Sequence, residues 1–140
     1  MLRLRAGWLI PQHILALTHF VSEVTAEDFT EITQATEKAL THVDSDFHLI
    51  IDNRVIDNTN LATLETMLQF MPQLNHPNLR WIVMILPEKL NLPAERIEKQ
   101  YHDQISLTHA DTLEGAFQFL ASVDKTIAWH KKDACFFQKE

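Results

Sequence analysis

"FHLIIDNRVIDNTNLATLETMLQFM", residues 47–71, changes its period part-way. The opening "FHLII" is a short apolar run bounded by polar residues, as in a strand buried on both faces. From Leu61 onward the pattern is helical. Leu61, Leu64, Leu68 and Met71 recur at three and four, which sets them on one face. Asn60 is a natural N-cap, and Pro72 ends the helix. Between strand and helix lies a polar knot of Asp52, Asp57, Asn58, Thr59 and Asn60. Strand, polar turn and helix together read as the start of a βαβ unit.

Working outward, "LRLRAGWLIPQHILALTHF" reads as two strands, about 3–10 and 13–20, turning at Pro11 into an antiparallel hairpin. "TAEDFTEITQATEKALTHV" is a helix. Its inward positions are Phe29, Ile32, Ala35 or Thr36, Ala39, Leu40 and Val43. Thr25 is its N-cap, with Asp28 near the capping-box position. "LRWIVMIL" (79–86) is the plainest strand. "PAERIEKQYH" (93–102) reads as a short helix with Pro93 in its first turn. "QISLTH" (104–109) is a strand. "DTLEGAFQFLASV" (111–123) is a helix with an Asp111…Glu114 cap signal and an inward stripe of Leu113, Phe117, Leu120 and Val123. Trp8 and Trp81 fall in strands and read as core residues.

The resulting order is ββαβαβαβα. It predicts a single α/β domain with a mostly parallel mixed sheet of about five strands and an antiparallel N-terminal edge strand. Residues 1–124 make up that domain. Residues 125–140 form a C-terminal extension whose Trp129, Phe136 and Phe137 require burial, on the domain or across a homodimer contact.

Composition excludes several functions. The chain has 140 residues, 46% apolar, enough for one domain with a real core. Two glycines are too few for a glycine-rich phosphate loop, and neither GxGxxG nor GxxxxGK[ST] occurs. A formal charge of −7 argues against nucleic acid, since phosphate contacts need clustered Lys and Arg. "WIVMIL" is the longest apolar run, far short of a transmembrane segment. The single Cys135 allows no intramolecular disulfide and fits a reduced, cytoplasmic home. Beside Phe136 and Phe137 it reads as a packing residue.

Signals for chemistry are sparse. His42, His48, His76, His102, His109 and His130 have neither HxH nor HExxH spacing, so no metal site is indicated. No GxSxG elbow is present. Asp-x-Asp after the first strand, needed for haloacid-dehalogenase-like chemistry, is absent. So are the paired acids of a phosphoaspartate receiver. No cofactor is expected.

The element order and length resemble the STAS domain, the fold of anti-sigma-factor antagonists and of sulfate-transporter tails. The closest likeness is to its SpoIIAA-like branch, often grouped with lipid-binding carriers. The resemblance covers roughly residues 3–123. It is carried by "GWLIPQHILALTHF", "VTAEDFTEI", "FHLIIDNR", "HPNLRWIVMI" and "DTLEGAFQFL". In phosphorylatable antagonists an Asp-Ser-Ser-Gly segment opens the next helix, and a partner kinase phosphorylates its second Ser. The matching place here is Asp57-Asn58-Thr59-Asn60. Asp57 keeps the Asp and Thr59 stands at the phosphorylated position. Asn58 and Asn60 depart from the motif.

The resemblance implies a non-enzymatic regulatory or protein-interaction module, working through Asp52, Asp57, Asn58, Thr59 and Asn60 on an unidentified protein partner. A plain helix cap at Thr59 or Asn60 accounts for the same residues, and a cap can also be a switch. The alternative is a carrier holding a lipid or small apolar ligand between sheet and helices. A third reading is a hydrolase using Asp52 or Asp57.

Overall fold

The run that opens the segment above becomes β3 (Phe47–Asp52), buried along its whole length. It sits inside a six-stranded sheet in a computed structural model that describes residues 2–56, 76–87, 98–102 (by their backbone) and 104–138. The strands are β1 (Leu4–Ile10), β2 (Ile14–His19), β3, β4 (Leu79–Ile85), β5 (Glu98–His102) and β6 (Ile105–Ala110), in the order β1-β2-β3-β4-β6-β5. β2, β3, β4 and β6 are parallel neighbours, while β1 pairs antiparallel with β2. The mixed α/β sheet with an antiparallel N-terminal edge strand is therefore present as expected.

β5 is a correction. Residues 98–102 form a strand antiparallel to β6, with Glu98 opposite Thr108, where a helix over 93–102 was expected. Residues 93–97 lie outside the described chain. Helix propensity is a weak preference per residue, and pairing to an otherwise open sheet edge overrides it.

The β1–β2 turn follows from its residues. His13 N–H donates to Ile10 O at 3.0 Å. Pro11 supplies the fixed φ of the first corner, and Gln12 takes φ 67° at the second. That is the arrangement of a type II turn, which favours glycine at Gln12.

Strand alternation divides the core in two. Leu15, Leu17, Leu49, Ile51, Ile82, Met84, Ile105 and Leu107 face one side, under Ile32 of helix α1 (Ala26–Ala39). Ile14, Ala16, Ile50, Val83 and Ile85 face the other, under Ala116, Phe119 and Leu120 of helix α2 (Leu113–Val123). Burying each such side chain contributes about 1.5–3 kcal/mol.

Bulges adjust the alternation in β1 and β4. Trp8 opposes Leu15 and Ile10 opposes Ile14, so Leu9 is an extra residue in β1. Phe47 opposes Leu79 and Leu49 opposes Ile82, so β4 also carries one residue too many. The second bulge lets Leu79 and Ile82 point to the same face.

α1 begins as expected. Thr25 accepts from the Asp28 N–H while the Asp28 carboxylate accepts from the Thr25 N–H, a complete capping box. α2 departs from its expected cap, and its expected stripe holds in part: Leu120 is buried and Leu113 and Phe117 pack half-buried against the core, but Val123 does not. Its N-cap is Thr112, whose Oγ1 accepts from Gly115 N–H at 2.9 Å. Ala116, Phe119 and Leu120 are its buried residues, and Val123 is 43% exposed. Apolar residues lie nearly all round this helix, so spacing alone does not choose the inward face.

Phe117 turns instead to the C-terminal segment, 5.6 Å from Trp129 and 6.1 Å from Phe137 between ring centroids. That segment folds back on its own chain. Phe136 and Ile127 are buried in the α2-side core, and Trp129 and Phe137 pack against it half-buried. Asp133 N–H donates to the carbonyl of the bulged Leu9 at 3.0 Å. Arg5 Nη1 donates to the carbonyls of Cys135 at 2.8 Å, of Gln138 at 3.2 Å and of Phe136.

Candidate functional site

In open α/β sheets, ligands and partners meet the carboxyl ends of the strands. At that edge the parallel register sets Thr18, on β2, opposite Asp52, on β3. Thr18 Oγ1 donates to Asp52 Oδ2 at 2.8 Å. The Arg54 backbone N–H and Nε donate to Asp52 Oδ1 at 3.1 and 2.9 Å, and Nη2 donates to Oδ2 at 2.9 Å. Asp52 is 3% exposed. Four donors therefore surround a buried carboxylate.

The backbone bond to the residue two positions on is an Asx-type turn, favoured where a strand must change direction. It pins the exit of β3. Asn53 N–H continues the ladder to Ile85 O at 3.0 Å, and Ile56 N–H donates to Asn53 O at 3.1 Å. Ile56 is buried, whereas Val55 stands 45% exposed at the rim.

A second clamp lies beside the first. Arg3 Nε and Nη2 donate to Asp28 Oδ1 and Oδ2, both at 3.0 Å. Thr25 N–H adds 2.9 Å to Oδ2. The guanidinium, followed by the Thr25 amide, holds the Asp28 carboxyl down to about 2. The first turn of α1 is thus tied to the start of β1.

His19 ends β2 between the two clamps. It is 7% exposed, and burial lowers its pKa below the ordinary 6.5, with the charges of Asp52 and Asp28 opposing. A neutral imidazole follows at neutral pH.

Of the residues singled out in the sequence, Asp52 is placed here. Asp57, Asn58, Thr59 and Asn60, and the helix expected over 61–71, lie outside the described residues. Thr18, His19, Asp28, Arg3 and Arg54 were missed as a group. Arg54 at two positions from Asp52 is a local signal and legible. Arg3 with Asp28, and Thr18 with Asp52, require strand register and helix docking.

A separate polar pair sits near the opposite end of β3. His48 Nε2 lies 2.8 Å from Asp124 Oδ2. Burial lowers the His48 pKa against the pull of Asp124. Among the described residues no three His, Cys, Asp or Glu side chains are grouped to hold a metal ion. No helix there is long and apolar enough to cross a membrane. The chain matches no family model, no curated protein sequence and no solved structure.

Proposed function

We propose that the protein is a non-enzymatic regulatory module of STAS-like type. It presents the carboxyl edge of its parallel strands to a protein partner in the cytoplasm, with Asp57, Asn58, Thr59 and Asn60 as the contact and switch segment. The observation that supports this reading is the clamp on Asp52. Its carboxylate is enclosed by Thr18 and Arg54, so its role is to anchor the loop that leaves β3. A hydrolase would instead need that carboxylate aimed at substrate or water.

The clamp gives the following segment a fixed point of departure beside exposed Val55. A phosphate on Thr59 would add about −1.5 to −2 charges next to Asp57, enough to repel an acidic partner surface. The C-terminal aromatics pack within the chain, so the reading does not require a homodimer.

The test is mass spectrometry of the protein from its own source, together with Thr59→Glu and Thr59→Val variants. Phosphate on Thr59, and a partner bound by Thr59→Val but released by Thr59→Glu at unchanged melting temperature, supports the switch. Equal partner binding by both, with stability lost in Thr59→Val, makes Thr59 a helix cap and removes the switch.

A further inference from the structure

The His48 imidazole is 3% exposed. It alternates with Ile50 along β3 and so faces the α2 side of the sheet. Its Nε2 lies 2.8 Å from Asp124 Oδ2, at the end of α2. An ionised carboxylate only accepts, so Nε2 carries the proton of the neutral ring and donates it. Nδ1 then bears the lone pair. It is buried and has no hydrogen-bond partner among the described residues.

A second proton can only go to Nδ1. There it creates a charged N–H donor with no acceptor beside it. A buried unpaired donor is costly, and a charged one more so. Burial disfavours the cation most strongly. Asp124, at the end of α2, and Asp46, just before β3, attract it, while His13, at the hairpin turn, repels it. Burial prevails, so the ring takes its second proton below the ordinary 6.5.

The same carboxylate holds the turn into the C-terminal segment. Asp124 Oδ1 accepts from Thr126 N–H at 2.9 Å and from Thr126 Oγ1 at 2.6 Å. Ile127, next in the chain, is buried in the same core as Ile50. Further along, Arg5 and the burial of Phe136 anchor the segment by separate contacts. The corner at residues 124–128 therefore has its own fastening and opens without detaching the whole segment.

We propose that His48 and Asp124 form a proton-operated latch: protonation of His48 Nδ1 opens the corner at residues 124–128 to solvent while the sheet stays folded. The closed corner is fully favoured above pH 6.5 and progressively less so below it, because the open form, with a hydrated ring, binds the proton more tightly. The latch is independent of the regulatory reading, since it needs neither a partner protein nor a phosphate on Thr59.

Two measurements on the full chain test it. NMR of the ring nitrogens should show His48 protonated at Nε2 and bare at Nδ1 at neutral pH. Native-state amide exchange, corrected for the intrinsic rate, should show the Thr126 N–H opening at a lower free energy than the Ile50 N–H of the central strand. The Thr126 opening should become more frequent as pH falls from 6.5 towards about 5, by at most about tenfold per pH unit, the limit for uptake of a single proton. His48→Gln keeps a donor for Asp124 and does not titrate, so its Thr126 opening should stay constant over this range. A ring protonated at Nδ1, a Thr126 opening that ignores pH or coincides with that of Ile50, or an unchanged pH dependence in His48→Gln would overturn the latch.

Discussion

The imidazole of His48, buried on β3, holds Nε2 2.8 Å from Oδ2 of Asp124, the residue that caps the end of α2. The other oxygen of Asp124 accepts from Thr126 N–H at 2.9 Å and Thr126 Oγ1 at 2.6 Å. One carboxylate thus joins the central sheet, the end of the last helix and the start of the C-terminal segment.

Replacing Asp124→Ala removes all three bonds and leaves buried His48 without its partner. The expected loss is about 2–3 kcal/mol, read as a lower urea midpoint with an unchanged slope. A loss within the error of the wild type would show that the pair contributes nothing to holding α2.

Stability should fall as the solution is acidified, in two windows. His19 and His48 both have pKa values lowered from 6.5 by burial. The unfolded chain then binds more protons than the folded one just below 6.5, so stability declines as pH falls from about 7 towards 5. His48→Gln and His19→Gln should each flatten that slope. Asp28 acts lower down. Its carboxyl is held at about 2 against an ordinary 3.8, so its contribution is present above 3.8 and is lost as pH falls through 2. Denaturation curves across this range check both windows, and a flat profile between about pH 7 and 5 contradicts the first.

Thr18→Val keeps the shape of the side chain and deletes one donor to Asp52. With Oδ2 left to Arg54, the cost should be about 1–2 kcal/mol. Arg54→Ala should cost more, since it removes two side-chain bonds from a buried carboxylate. Equal effects of the two variants would mean that Thr18 carries as much of the clamp as the guanidinium.

Phe136→Ala should cost about 3–5 kcal/mol, because the ring is 3% exposed between α2 and β1 rather than lying on the surface. Arg5→Ala should act in the same direction by freeing the carbonyls of Cys135, Phe136 and Gln138. Amide exchange should then rise across residues 127–138 before it rises in β3. Simultaneous exchange of both would mark the segment as part of one cooperative unit with the sheet.

What the sequence determined by itself is the local and periodic part. β3 needed only its apolar run, and α1 only Thr25, Asp28 and the spacing around Ile32. The hairpin needed Pro11 between two strand-like runs. These signals act within a few residues, so they survive without a partner in space. The tertiary structure decided the rest. Glu98–His102 became a strand because β6 offered it an edge to pair with, which no local preference encodes. α2 buried Ala116 and Phe119 rather than Val123 because the sheet occupied one side and Trp129 and Phe137 another. Asp52 was legible as a residue of interest, but its use was not. Whether a carboxylate is free or enclosed depends on the register that brings Thr18 opposite it. Contacts of that range depend on how strands align, and strand alignment follows from the packing of the entire core.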